Sequence, residues 1–432
     1  MNTKKNKQSN SIYKTIMTIV ATAIVTFVIT TVWIYSSATF TSTESAIGNA
    51  AKANSLAAKL SVIRKKIDQE YIGEVNENDL IEGAIKGYVA GLGDEYTEYL
   101  PAEDMSSFTE DIEGEFVGIG VYITKDVENN QILVYGTIPD SPAEQAGLKT
   151  GDIITSVDGV ECNGDDYDTI TNSIKGKEGT KVNIGIYRNG EELSFEIERK
   201  TVEVKHVTYQ KLDNNIGYIN ISGFEGDVST QFENAYNDLN GQGITSLIID
   251  IRSNGGGIVS EALDIAEMMT DKGQTLLIES DKNGKEEVIK AEKGKTITIP
   301  IVLLVNEYSA SASEILAGIL KEDVDNATII GNTTYGKGVI QTLYPLTDGS
   351  GIKITTNEYF TPNHNKINKV GVEPDINVDD YLFTGTLDLD NDTQLKRAIE
   401  ELKNKDKRGA FCSSKYLFKK IIVLYYFELQ KK

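Results

Sequence analysis

The spacing of apolar and polar residues changes several times along the chain and divides it into segments. Residues 15–35 carry no charge and are long enough to cross a bilayer core of about 30 Å, which predicts a transmembrane helix. Between residues 55 and 112 apolar residues such as Leu56, Leu60 and Ile63 recur at helical spacing. This pattern predicts a small helical segment whose apolar stripe needs partners.

The charges around the apolar N-terminal segment predict its orientation. Residues 1–14 form a basic tail with lysines and no acidic residue, which favours a cytoplasmic location for that end. Residues 36–54 are small and polar, as in a linker. A cleaved signal peptide is the alternative, because Ser-Ser-Ala at 36–38 resembles a cleavage site. Both interpretations place the main body outside the cytoplasm, and the anchor predicts a single-pass protein of the cell membrane.

Residues 113–201 show short alternating runs separated by turn residues, which is typical of a β-rich domain. Ser141, Pro142 and Gly147 predict one short helix, with serine as its N-cap, proline in its first turn and glycine after its end. Asn189 and Gly190 predict a tight hairpin.

Residues 202–380 alternate between buried-strand and helix patterns. The runs at 216–221, 246–251 and 299–305 are almost wholly apolar, and helical patterns separate them. This order predicts βαβ crossovers around a parallel sheet, and hence an α/β fold. Residues 381–432 predict a helix followed by a basic tail that is atypical of the rest of the chain.

Composition restricts the classes of partner and cofactor. The formal net charge of −22 argues against a nucleic-acid partner. Cys162 and Cys412 are too few for a disulfide framework, although a single bridge between them stays open. No cysteine or histidine spacing suggests a metal site, and no cofactor is predicted. His206 and His364 lie in no catalytic motif and are predicted to be surface or loop residues.

The candidate chemistry begins with the serines at 309, 311 and 313, which follow a predicted buried strand and precede a helical pattern. A hydroxyl on such a turn meets the free N–H groups of a helix N-terminus. Lys337 stands between two glycines, Gly336 and Gly338. In place of histidine, a lysine can activate a serine if its amine is neutral. Burial would have to lower its pKa from about 10.4 for that.

Four motifs together resemble the C-terminal processing peptidases, also called tail-specific proteases, over residues 56–380. The motifs are Asp250-Ile-Arg-Ser-Asn-Gly-Gly-Gly257, Ser309-Ala-Ser-Ala-Ser-Glu314, Thr334-Tyr-Gly-Lys-Gly-Val-Ile-Gln341 and Gly371-Val-Glu-Pro-Asp-Ile376. The family usually has proline where this chain has Gly255. The resemblance implies a serine endopeptidase with a crotonase-like α/β core behind a PDZ domain.

The resemblance also implies roles for individual residues. It places the nucleophile on Ser311, the general base on Lys337 and the group that orients the base on Gln341. The N–H of Ala312 directly follows the nucleophile and is the first predicted oxyanion donor. The resemblance assigns the second to Gly256. Alternatively, these residues are only turn and cap residues.

The β-rich segment resembles a PDZ domain, in which the loop Gly118, Ile119, Gly120 and Val121 would bind the C-terminal carboxylate of a peptide. Alternatively, the glycines only permit a tight entry into the strand.

The combined prediction is a membrane-anchored, extracytoplasmic serine endopeptidase that cleaves proteins near free C-termini. Its PDZ domain would bind those termini or gate the active site. A catalytically silent PDZ adaptor is the alternative, and a crotonase-type acyl-CoA enzyme would share only the fold. The sequence leaves open whether the chain forms a homo-oligomer.

Overall fold

The computed structural model describes residues 54–379 and 387–405. The chain divides into two compact units, Met1–Ile81 and Glu82–Lys432. The sites discussed below all lie in the second unit.

The described part of the first unit is helical. Helix α1 covers residues 54–70, and many of its apolar side chains are exposed, including Leu56 and Ile63. The predicted transmembrane segment, 15–35, lies outside the described residues. Within the described ranges, no helix is both long and apolar enough to cross a membrane.

The remaining elements follow in chain order. The helices are α2 Glu77–Ala90, α3 Ala102–Glu113, α4 Pro142–Ala146, α5 Tyr167–Ile174, α6 Val228–Gly241, α7 Val259–Glu267, α8 Ala312–Asp323 and α9 393–405. The strands are β1 Glu98–Leu100, β2 Glu115–Gly118, β3 Val121–Asp126, β4 Gln131–Thr137, β5 Ile153–Val157, β6 Val160–Glu161, β7 Lys181–Arg188, β8 Glu191–Glu198, β9 Lys200–Glu203, β10 Val207–Leu212, β11 Ile216–Ile221, β12 Ser246–Asp250, β13 Thr275–Asp281, β14 Glu286–Lys290, β15 Ile301–Val305, β16 Ile329–Gly331, β17 Val339–Pro345, β18 Gly351–Phe360 and β19 Ile376–Asn377.

The β-rich segment forms an antiparallel sheet in the order β3-β4-β5-β7-β8, and β2 and β9 pair separately before and after it. Alternate strand residues such as Ile132, Ile154 and Ile184 are fully buried and form its core. The predicted short helix is present as α4, because Ser141 Oγ accepts a hydrogen bond from the N–H of Glu144.

The second sheet runs β10-β11-β12-β15-β16-β19, and every neighbouring pair is parallel except β10–β11. Both faces of its central strands are covered, which explains why those strands read as continuous apolar runs. Core residues of α6, α7 and α8 pack on one face. Leu395, Ala398 and Leu402 of α9 pack on the other face.

A buried ionic network joins α9 to the sheet. Arg252, which is 2 % exposed, contacts Asp250 at 2.6 Å and Asp392 at 2.7 Å. Asp392 also accepts the N–H of Leu395 and so caps α9. Removing one partner of such a buried pair costs about 3–5 kcal/mol, so this network ties the C-terminal helix firmly to the sheet.

A third, antiparallel sheet pairs β1, β18, β13 and β14 in that order, and β17 pairs with β18. Strand β17 begins two residues after Lys337, and the register between β17 and β18 shifts at Gln341. This sheet therefore positions the lysine loop beside the end of the parallel sheet.

Candidate active site

The serine turn lies between β15 and α8, where Ser311 precedes the first residue of the helix. Its backbone has φ 57° and ψ −116°, a combination that non-glycine residues rarely adopt. Such a conformation costs about 1–3 kcal/mol and persists only when the surrounding structure enforces it. The residue is therefore held in a strained position at the positive end of a helix dipole.

The structure distinguishes the three candidate serines by their hydrogen bonds. Ser309 is buried and its Oγ donates to the carbonyl of Ile251 at 2.8 Å. Ser313 is also buried and donates to the carbonyl of Asn254 at 2.9 Å. Ser311 lines a cleft, and its Oγ donates a hydrogen bond to no residue in the part of the chain that the structure describes. Ser311 alone of the three is thus available to a substrate.

The glycine-rich turn packs directly against the serine turn. A Cβ added to Gly256 would lie only 2.7 Å from Cβ of Ser311, and Gly256 has φ +107°. The N–H of Gly256 donates to Asn254 Oδ1 at 2.8 Å, so in this conformation it is not free for an oxyanion. The N–H groups of Ala312 and Gly257 have no acceptor among the described residues. Of the two glycines, only Gly257 therefore has an N–H without an acceptor among the described residues.

Lys337 reaches the same cleft from the loop before β17. Its Nζ lies 4.8 Å from the ring centroid of Tyr96, in a cation–π contact. No hydrogen bond joins Lys337 to Ser311 within the described residues. Gly338 is required in this loop, because an added Cβ would lie 2.2 Å from the backbone nitrogen of Asn368.

The surroundings of Lys337 lower the pKa of its amine relative to that of a free lysine. Burial lowers the pKa of the amine below its usual range, and the nearby charge of Lys353 lowers it further. The carboxylates of Glu314 and Glu95 act in the opposite direction. A lysine of lowered pKa that lines the same cleft as a serine hydroxyl provides two of the features that a serine–lysine pair requires.

Gln341, the predicted orienting residue, lies in the cleft but has another partner. Its Nε2 donates to Thr355 Oγ1 at 3.3 Å. The N–H of Thr355 donates to Thr97 Oγ1 at 3.0 Å, and that hydroxyl donates to Asp94 at 2.5 Å. Among the described contacts none joins Gln341 to Lys337, so an orienting role would require a rearrangement of the side chains.

Sequence reasoning missed two buried residues at this site, Glu314 and Tyr359. The Glu314 carboxylate accepts hydrogen bonds from the N–H groups of both Ser311 and Lys337. The Tyr359 hydroxyl lies near the carbonyl oxygens of the same two residues. The spacing Ser311-x-x-Glu314 matches a capping box and could have drawn attention to the glutamate. Tyr359 had no local signal.

The cleft has a volume of about 480 Å³ and is lined mainly by apolar side chains around Ser311 and Lys337. Helix α3 contributes Phe108 and Ile112 to its wall. Within the described ranges, no cluster of three or more histidine, cysteine or acidic residues could hold a metal ion. Cys162 is a free thiol, and Cys412 lies outside the described residues.

The predicted peptide-binding loop precedes β3, which is the end strand of its sheet. Gly120 has φ +74°, and a Cβ there would lie 2.3 Å from Cβ of Ser141. The N–H groups of Ile119 and Gly120 have no backbone acceptor among the described residues. A free strand edge beside unbonded N–H groups is the geometry that binds a peptide C-terminus.

Comparison with known families agrees with this organisation. Residues 215–378 match the model for peptidase family S41, residues 117–198 match a PDZ domain, and residues 19–104 match the N-terminal domain of the activating protease CtpB. The carboxy-terminal processing protease CtpA of Bacillus subtilis is 36 % identical over 335 residues, covering 77 % of this chain and 71 % of that protein. The chain belongs to peptidase family S41.

Further relatives are similar over much of the chain. A probable CtpA-like serine protease of Staphylococcus epidermidis is 34 % identical over 385 residues, which cover 87 % of this S41 peptidase and 77 % of that protein. The solved structure of a photosystem II D1 C-terminal processing protease is 30 % identical, with a TM-score of 0.44, covering 73 % of this chain and 86 % of that one. The S41 chain is thus a serine-type peptidase with a PDZ domain, as its motifs predicted.

Proposed function

We propose that this S41 peptidase is anchored in the cell membrane and cleaves extracytoplasmic proteins near their C-termini with a Ser311–Lys337 dyad. The observation that carries the proposal is that one cleft is lined by both residues: Ser311 has a strained backbone, and Lys337 is half-buried and has a lowered pKa. The parallel core with helices on both faces supports a crotonase-like catalytic domain.

The proposed reaction proceeds through an acyl-enzyme. Neutral Lys337 Nζ accepts the proton of Ser311 Oγ as that oxygen bonds to the scissile carbonyl carbon. The resulting oxyanion would accept hydrogen bonds from the N–H groups of Ala312 and Gly257. When the C–N bond breaks, the lysine ammonium returns the proton to the leaving amine. Water then attacks the ester carbon and gives one proton to Lys337. When the bond to Ser311 Oγ breaks, the lysine ammonium returns that proton to Oγ, which releases the carboxylic acid and regenerates Ser311 and neutral Lys337. Gln341 would orient the amine after it leaves the face of Tyr96.

Covalent labelling would test the dyad. A fluorophosphonate probe, which phosphonylates activated serines, should modify Ser311 of the full-length chain, and peptide mass spectrometry should locate the label. We expect Ser309→Ala to keep the label, because the Ser309 hydroxyl bonds to the carbonyl of Ile251 and does not face the cleft. Ser311→Ala should lose it. Equal labelling of wild type and Ser311→Ala would refute the assignment, and no labelling of either would favour the silent adaptor.

The PDZ domain is proposed to bind substrate C-termini and to communicate with the cleft through α3. Lys175 follows α5 and pairs with Glu110 of α3 at 2.6 Å, and Asn172 of α5 donates to Glu103 at 2.7 Å. The same helix presents Phe108 to the cleft. A peptide that adds to β3 beside α5 would therefore act on an element that the active site shares.

Peptide binding would test the PDZ role. A labelled peptide with a free C-terminus should bind at least about tenfold more tightly than its amide, because the loop N–H groups pair with a carboxylate. Gly120→Val should abolish this preference through strain at φ +74° and contact with Ser141. Gly136→Ala is the control, since the nearest atom to its added Cβ lies 3.4 Å away. Equal affinity for acid and amide would contradict the proposal.

Membrane anchoring is supported by the uncharged segment 15–35 and the basic residues before it. After alkaline carbonate extraction, the full-length chain should remain in the membrane pellet with its N-terminal segment intact. A soluble product that begins near residue 39 would instead indicate the cleaved signal peptide.

A further inference from the structure

Two buried side chains hold the backbones of the proposed nucleophile and base together from opposite sides. Glu314 and Tyr359 are both 0 % exposed and lie between the serine turn and the lysine loop. We propose that Glu314 and Tyr359, here called the backbone clamp, are positioning residues that set the distance and orientation between Ser311 and Lys337. This inference rests on the proposed dyad and adds to it two residues that touch no substrate.

The glutamate forms the first half of the backbone clamp. One carboxylate oxygen of Glu314 accepts the N–H groups of Ser311 at 2.9 Å and Lys337 at 2.8 Å. The other oxygen accepts Thr334 Oγ1 at 2.6 Å and the N–H of Gly336 at 2.7 Å. Three of these partners are N–H donors and the Thr334 hydroxyl can donate as well, so the hydrogen bonds favour the ionised carboxylate. Burial raises the pKa of Glu314, and these hydrogen bonds oppose that rise.

The tyrosine forms the second half. The Tyr359 hydroxyl lies 3.0 Å from the carbonyl oxygen of Ser311 and 2.5 Å from that of Lys337, and it donates to them in a shared hydrogen bond. In both proposed catalytic residues, Glu314 therefore fixes the backbone N–H and Tyr359 fixes the backbone C=O. This explains how Ser311 is kept in its strained conformation.

The arrangement does more than stabilise the fold, because Glu314 also acts on the base electrostatically. Lys337 faces Glu314 on α8, Lys353 on β18, and Glu95 with Tyr96 in the turn before β1. Loss of the Glu314 charge removes an influence that raises the lysine pKa. The pH dependence of the reaction should therefore respond to Glu314 and not to the neutral Tyr359.

Glu314→Gln and Tyr359→Phe in the full-length chain test the proposal by the rate of Ser311 labelling with the fluorophosphonate probe between pH 5 and 10. Glu314→Gln turns an amide toward two of the donors, and we expect a loss of about 100-fold or more, as for misplaced catalytic groups. In Glu314→Gln, the acid limb of the plot of labelling rate against pH should move to lower pH. Tyr359→Phe should lower the labelling rate about tenfold and leave the acid limb at the same pH. The double variant should show non-additive losses, because both act on the same pair.

Matched controls exist elsewhere in the described fold. Glu267 is also buried and accepts the N–H groups of Glu292 and Lys293, and the buried Tyr218 hydroxyl donates to Asp250. The labelling rates of Glu267→Gln and Tyr218→Phe should stay within about threefold of the wild-type rate, since both residues lie outside the site. Thermal unfolding of these two variants measures the effect of such changes on stability alone.

Several outcomes would overturn the backbone clamp. One such outcome is that Glu314→Gln is labelled at the same rate as its control, Glu267→Gln. Another is that Glu314→Gln is labelled more slowly but the acid limb of its pH profile stays at the same pH. If Glu314→Gln shows no cooperative unfolding transition, the test depends on Tyr359→Phe. The backbone clamp is then refuted if Tyr359→Phe is labelled at the same rate as Tyr218→Phe. A fully labelled Ser311→Ala chain would refute the dyad itself. An unlabelled Ser311→Ala chain with both clamp variants at the wild-type rate would refute only the backbone clamp.

Discussion

Replacing Lys337 by methionine should lower kcat for casein cleavage by about 10⁴-fold or more, comparable to removing the base of other serine peptidases. Methionine fills similar space but cannot accept the proton of Ser311. Lys337→Arg should be equally inactive, because a guanidinium stays charged at every working pH. Lys366→Met is the control, since Lys366 is an exposed lysine paired with Glu358 at 2.8 Å. Activity of Lys337→Met within tenfold of wild type would exclude it as the base.

The pH profile gives a second test of the same assignment. Only the neutral amine accepts a proton, so kcat/KM should rise about tenfold per pH unit below the pKa of Lys337 and level off above it. Lys353 is one of the causes that lower this pKa. Lys353→Met removes that like charge, so the pKa should rise and the acid limb should move to higher pH. A shift in the other direction would contradict the electrostatic account.

Gly256→Ala should lower kcat by about 100-fold or more, as expected when the proposed nucleophile, Ser311, is displaced. The added Cβ would lie 2.7 Å from Cβ of Ser311 and 2.8 Å from the carbonyl oxygen of Ala310, and alanine is strained at φ +107°. Backbone atoms cannot move aside cheaply, so the serine turn itself must shift.

The neighbouring glycine provides a matched control for that change. A Cβ on Gly255 meets nothing within 4 Å, so Gly255→Ala should keep kcat within about threefold. Casein cleavage, fluorophosphonate labelling and thermal unfolding of both variants would separate a local effect from a loss of fold. If the two variants behave alike, close packing of Gly256 on the nucleophile is not important for activity.

Much of the parallel sheet could be predicted from local pattern. The run 216–221 is strand β11 with the same bounds, because a strand buried on both faces is apolar at every position. The third sheet was not predicted. Strand β18 is mostly half-buried and pairs with β1, more than 250 residues away, so its environment depends on distant contacts that no local period encodes.

At the site, residue types were easier to predict than hydrogen bonds. The motifs brought Ser311, Lys337 and Gln341 into one cleft. The pairing of Gln341 with Thr355 and of Gly256 with Asn254 depends on a register shift and on a turn, respectively. Neither partner follows from residue type alone, because amide side chains and N–H groups bond to whichever acceptor the fold brings near them.

The buried pair between Arg252 and Asp392 has a consequence for when the chain can fold. Asp392 is synthesised 140 positions after Arg252, and its carboxylate accepts hydrogen bonds from both terminal nitrogens of the buried guanidinium. Until Asp392 has emerged from the ribosome, closing the sheet over Arg252 would bury guanidinium N–H groups before that acceptor can bond to them. The peptidase domain should therefore complete its folding only after nearly the whole chain has emerged from the ribosome.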